Sequence, residues 1–112
     1  MVDVDFLALE YDTGEPVAIV EYKHERAEQQ FASHSSYQAM IKLGNRAALP
    51  VFAVRYAHDW SWWRVIALND LAKDNLGERR LEMTEEKWVS LLYRLRGRDM
   101  PLSLFQDMEI EI

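Results

Sequence analysis

With 112 residues, 49% of them hydrophobic and 12% aromatic, the chain is long enough for one compact domain and too apolar for a disordered one. No cysteine is present, which excludes a disulfide framework and a thiolate metal site. The net charge of −6 argues against a general nucleic-acid binder; no apolar run reaches the roughly 18 residues of a membrane span and no basic-then-apolar leader opens the sequence, so a cytoplasmic protein is expected.

The first expected element is a β-hairpin over Asp5 to Lys23, two apolar runs joined at Thr13-Gly14. Along the first run Asp3, Asp5, Leu7 and Leu9 alternate onto one face, and Val2, Val4, Phe6 and Ala8 onto the other. Pro16 opens the second run, where its missing N–H does little harm. Val17, Ala18, Ile19 and Val20 read as a half-buried strand that continues through Glu21, Tyr22 and Lys23, with Glu21 and Lys23 on one face. If the turn pivots on Thr13, facing residue numbers add to 26, which sets Asp5 opposite Glu21 and Asp3 opposite Lys23. Gly14 permits the positive φ of a three-residue loop or bulge. A shift of one residue would send the two acids to opposite faces.

Two carboxylates on one sheet face repel unless a cation sits between them. Mg²⁺ takes one or two protein carboxylates and completes its shell with water and phosphate oxygens. An adjacent ammonium can orient or deprotonate a water, or stabilise developing charge on phosphorus. Asp5, Glu21 and Lys23 therefore read as a metal-assisted phosphodiester hydrolysis site. A surface hairpin with a cross-strand Lys–Asp pair is the plainer alternative.

The polar stretch His24 to Phe31 reads as a short helix or a loop. Ser33, Ser35 and Ser36 are N-cap candidates for a helix of about 12 residues in which Tyr37, Met40, Ile41, Gly44 and Ala48 share a face. Pro50 opens an apolar strand, Val51 to Tyr56. Strand, helix, strand implies a crossover and a parallel pair. Trp62 to Leu68 reads as a further strand, with Trp60, Trp62 and Arg64 on one face and Trp63 and Val65 on the other. Aromatics beside an arginine could stack on splayed bases; core packing and a dimer surface are the alternatives. Asn69 or Asp70 caps a short helix ending near Gly77. Thr84 caps another, with Glu85 and Glu86 complementing its dipole, Trp88, Leu91, Leu92 and Leu95 as its buried stripe, and Gly97 as its stop. Met108, Ile110 and Ile112 alternate in an acidic tail that suits an edge strand. His24, His34 and His58 lack metal-ligand spacing.

Charge is segregated. Residues 1–22 hold six acids and no Lys or Arg; residues 79–98 hold six bases against three acids; the tail from Asp99 holds four acids and no base. An acidic metal site flanked by a basic region fits a nuclease, and a solvated helix face accounts for the same bases.

Asp5, an apolar strand, then Glu21-Tyr22-Lys23, resembles the PD-(D/E)XK nuclease signature, with the Holliday-junction resolvases and small phage-type nucleases as the nearest pattern. The resemblance covers residues 3 to about 56. It implies an α/β domain, a mixed sheet of about four strands flanked by helices, with a restriction-endonuclease-like core. Only Met1 and Val2 precede Asp3, so that core would lack the family's usual N-terminal helix. It implies a Mg²⁺- or Mn²⁺-dependent DNA nuclease, an endonuclease of phage or recombination and repair type, with DNA as its partner and branched or single-stranded forms among the candidates. Asp5 and Glu21 would hold the metal and Lys23 would serve the attacking water. Gln38, in the first turn of the helix after the Glu-x-Lys strand, would contact that water or a scissile phosphate, or be a surface glutamine. Arg55 would contact a phosphate or make a salt bridge. Asp3 is a rival to Asp5, and Tyr22 is a further candidate. A sheet with one edge uncovered favours a homodimer. The competing reading is a nuclease-like module without catalysis that binds nucleic acid or protein.

Overall fold

The computed structural model describes residues 6–9, 14–27, 34–95 and 97. They form a mixed sheet in the order β1 (Phe6–Leu9), β2 (Pro16–His24), β3 (Val51–Tyr56), β4 (Trp63–Ala67) and β5 (Arg80–Met83). Three helices complete the domain: α1 (Ser35–Ala47) between β2 and β3, α2 (Asp70–Leu76) between β4 and β5, and α3 (Glu85–Leu95) at the end. The fold is α/β, a mixed sheet with flanking helices, as the sequence pattern indicates. β5 extends that sheet by a strand the pattern did not single out, because Arg80-Leu81-Glu82-Met83 is short and half charged.

β2 pairs antiparallel with β1 and parallel with β3, which the α1 crossover requires. Its partners in β1 are Phe6↔Val20, Leu7↔Ile19 and Ala8↔Ala18, the register in which facing numbers add to 26. A bulge follows between Ala8 and Leu9, and Gly14 takes φ 68° in the turn. Ala18, Ile19 and Val20 are all buried, because β2 is covered on both faces. On one face Ala18, Val20, Phe52, Val54, Trp63 and Val65 pack under α2 and α3, around Trp88. On the other Ile19, Val51 and Ala53 pack under Tyr37 and Met40 of α1.

The helix ends follow their chemistry. Asn69 caps α2, Gly77 closes it at φ 83°, and Thr84 Oγ1 accepts from Lys87 N–H at the start of α3. α1 is capped by His34, not by a serine: its ring Nδ1 accepts from Ser36 N–H at 3.3 Å, while Ser35 and Ser36 are already inside the helix. Ser33 lies outside the described residues. Ala48 is likewise not part of the buried stripe. It is exposed and turns left-handed at φ 56° to end α1. A second correction concerns Trp60. It also takes a left-handed backbone, φ 64°, which breaks the strand alternation before β4 and moves its ring onto the side of Trp63.

Gly44 is buried where α1 meets the start of β3. A Cβ there would lie 2.2 Å from Val51 Cγ2 and 3.0 Å from Leu49 O. Val51 is fully buried and β-branched, so it has no rotamer into which to retreat. Gly44→Ala gains about 1 kcal/mol of helix propensity. The overlap outweighs it, and a net loss of about 2–3 kcal/mol is expected, read as a thermal midpoint lowered by about 10 °C. A midpoint equal to or above wild type would show that helix and strand are not in close contact at this point.

Candidate functional site

The site is built at the carboxyl end of β2, beside its parallel partner β3, where open α/β sheets bind ligands. Glu21 and Lys23 project to the α1 face. Lys23 Nζ lies 3.1 Å from Glu21 Oε1, so the same-face expectation is met directly. The other oxygen, Glu21 Oε2, is removed from solvent and has no hydrogen-bond partner among the described residues. A buried carboxylate oxygen with no donor costs on the order of 1–3 kcal/mol unless a cation joins it.

Strand register extends this pair across the sheet. One row runs Lys23, Arg55, Arg64, Glu82 from β2 to β5; the next runs Glu21, Ala53, Ile66, Arg80. Three cations in adjacent positions of one row repel one another. Together with Arg80 and Tyr37 of α1 they line a cleft on the α1 face. Tyr37 in that wall places the start of α1 at the cleft, and a helix N-terminus favours anions. There is no acid in the first turn of α1 to oppose this.

Each candidate residue has a definite place except two. Asp5 and Asp3 lie outside the described residues. Tyr22 points to the opposite face, edge-on to Trp63 and Trp88, and its hydroxyl accepts from Trp88 Nε1 at 3.1 Å. Burial pushes its phenol pKa up, partly offset by that hydrogen bond. Gln38 is exposed on the first turn of α1; Tyr37, not Gln38, is the residue of that turn lining the cleft among those described. Arg55 holds the chain after β2. Its Nη1 donates to the carbonyls of His24 (3.2 Å), Glu25 (3.1 Å) and Ala27 (2.8 Å), so one arm of the guanidinium positions this loop behind Lys23.

Sequence reasoning missed Arg80 and the Glu25–His58 pair. Arg80 needed the register of β5, which only the fold supplies. His58 was weighed only as a zinc ligand. In the structure its ring Nδ1 and its backbone N–H both meet Glu25 Oε1, the latter at 3.1 Å. This ties the β3–β4 turn to the loop after β2. The hydrogen bond to Glu25 raises the His58 pKa above its ordinary 6.5, and the same bond lowers Glu25 below 4.5. On the His58 side the stabilisation is fully present below pH 6.5 and is lost as pH rises through the raised folded value. On the Glu25 side it is present above pH 4.5 and is lost as pH falls through the lowered folded value. The tie is therefore strongest between these limits. An NMR titration should give a His58 pKa above 6.5 that falls back in Glu25→Gln. An unchanged value in the variant would break the assignment of the pair.

Among the described residues no three His, Cys, Asp or Glu side chains group to hold a metal ion, and no helix is long and apolar enough to cross a membrane. Compared with protein-family models, with curated proteins and with solved structures, the chain matches none.

Proposed function

We propose that the protein is a Mg²⁺- or Mn²⁺-dependent DNA nuclease of restriction-endonuclease-like fold, with its site at Glu21 and Lys23. The observation that carries the reading is Glu21 itself: one oxygen paired to Lys23, the other buried without a partner among the described residues. A hard divalent cation suits that orphaned oxygen and needs only one or two protein carboxylates. Asp5, the second acid the reading requires, lies outside the described residues, and the sequence reading alone sets it opposite Glu21. When bound, the cation supplies charge stabilisation at a phosphoryl oxygen.

The chain's own residues supply the rest. Lys23, beside Glu21, is placed to orient the attacking water and to offset developing negative charge. Arg64 and Arg80, farther along the cleft, would hold the phosphodiester backbone, helped by the start of α1. Arg55 keeps the loop after Lys23 in place. Local cation rows of this kind reconcile nucleic-acid binding with a net charge of −6.

A second reading, a binding module without catalysis, is favoured by one observation. Lys23 neutralises Glu21, so the cleft as it stands presents mainly cations. Single-stranded, duplex and branched DNA incubated with the protein and Mg²⁺ or Mn²⁺ test the main reading. Cleavage that EDTA abolishes is expected. Binding of DNA with no cut product on any substrate, and no heat of Mn²⁺ binding, would leave the binding module instead.

A further inference from the structure

We infer that the turn between β3 and β4 carries a stacking platform for an unpaired nucleobase, with Trp60 as its outer surface; this deepens the nuclease reading, on which it rests for the identity of the polymer. Tyr56, Trp60 and Trp63 form a nearly equilateral triangle of rings. Trp60 lies 5.1 Å from Tyr56 at an interplanar angle of 8°, and 5.7 Å from Trp63 at 27°. Tyr56 and Trp63 are themselves only 5.6 Å apart. Two rings stacked on opposite faces of Trp60 would be separated by nearly twice that distance. Both therefore lie on the same face, and no ring among the described residues stacks on the other face of the indole. Trp60 is accordingly 54% exposed, although it is stacked on two partners.

The platform is preorganised. Ala57 N–H donates to Trp62 O at 3.1 Å and Trp60 N–H to Ala57 O at 3.0 Å, while Asp59 Oδ1 accepts from Ser61 N–H at 3.1 Å. These bonds hold Trp60 in a left-handed backbone that a bulky side chain rarely adopts. The Glu25–His58 contact anchors the same turn to the chain after Lys23, and the His24 ring packs edge-on against Tyr56. Lys23 and His24 face Arg55 and Tyr56 in register, so the phosphate-facing residues and the stack occupy the two sides of one sheet end.

Arg64, in the cleft on the other side of the sheet, lies 5.1 Å over the Trp62 ring and pairs with Glu82 Oε1 at 3.4 Å. Of the acids at the tip, Glu25 pairs with His58, and Asp59 accepts from Ser61 N–H and keeps its negative charge. A base stacked on this face of Trp60 can send its flanking phosphates around the sheet end toward Lys23 and Arg64 in the cleft. A paired base cannot use the platform, because both its faces are already stacked inside the duplex. The ligand class is thus single-stranded or splayed nucleic acid.

The test is fluorescence anisotropy in EDTA, with a labelled 15-nucleotide single strand and the same sequence as a duplex, all proteins carrying Glu21→Gln so that nothing is cut. Adding Trp60→Ala should weaken single-strand binding about tenfold and leave duplex binding within twofold. Trp60→Phe should restore most of the loss. Trp60→Gly removes the ring while suiting the left-handed backbone, so equal loss of binding with an undiminished thermal midpoint excludes misfolding as the cause. Unchanged single-strand affinity, or an equal loss on duplex, would overturn the platform. Neither result depends on cleavage. A wild-type-like cleavage rate in Glu21→Gln would instead remove the catalytic reading and leave the binding comparison intact.

Discussion

Replacing Glu21 by glutamine should abolish metal-dependent DNA cleavage, by about a thousandfold or more, while leaving the protein at least as stable as wild type. The two halves of that expectation have one cause. Glu21 Oε2 is removed from solvent and has no donor among the described residues, so that oxygen is buried at a cost. Its other oxygen has Lys23 at 3.1 Å, but Lys23 is about a third exposed and that pair gives back little. Removing the charge relieves the buried oxygen; the loss of the Lys23 pair is small in comparison. Glu21→Met, of similar length and apolar, should raise the thermal midpoint further, by roughly 5 °C per kcal/mol relieved. Activity moves the other way, because losing a cation ligand forfeits several kcal/mol of transition-state stabilisation, about 4 kcal/mol for a thousandfold. Activity lost together with stability would mean that Glu21 is an ordinary structural residue. Cleavage retained at wild-type rate would end the nuclease proposal.

That opposition between fold and function explains which features were legible in the sequence. The hairpin was readable because its register obeys two local constraints, the positive φ open to Gly14 and the unbroken apolar run Val17 to Val20. Phe6 to Ala8 pair as those constraints require. Caps at Asn69 and Thr84 were readable for the same reason, since the capping oxygen and its N–H are three residues apart. Glu21 and Lys23 stood out because charges interrupt an apolar run without a local reason.

Long-range placement was not readable. Arg80 reaches the cleft only through the pairing Ile66↔Arg80, and β5 is too short and too charged to declare itself as a strand. Arg55 follows an apolar run just as Lys23 does, yet one of its arms is spent on three carbonyls some 30 positions earlier. Trp60 defeated the period-2 reading because a single left-handed residue reverses which side a ring faces. In each case the deciding contact joins segments far apart in sequence, where neither propensity nor alternation carries information.

The largest effect on stability is expected at Asn69, which serves as far more than a cap. It is buried, and both ends of its amide are fully used. Oδ1 accepts from Ala72 N–H, capping α2, and from Val51 N–H, the first residue of β3, each at 3.0 Å. Nδ2 donates to Leu49 O at 2.8 Å and to Asn45 Oδ1 at 3.2 Å. One side chain thus joins the end of α1, the start of β3 and the start of α2, and so fixes the segment from which Arg55 is presented. Asn69→Ala strands a buried N–H, a buried carbonyl and a helix N-terminus together. At about 1–3 kcal/mol for each buried group, a loss of about 4 kcal/mol is expected, a large part of a small domain's stability. Asn69→Asp separates the two roles. Aspartate caps helices as well as asparagine does, so a residue acting only as a cap would lose almost nothing. Here the new oxygen would face Leu49 O and Asn45 Oδ1 with no hydrogen between them, and a buried charge would be added. Urea unfolding should therefore place Asn69→Asp as low as Asn69→Ala. A midpoint for Asn69→Asp within about 1 kcal/mol of wild type would reduce Asn69 to a helix cap and remove the junction on which the position of β3 rests.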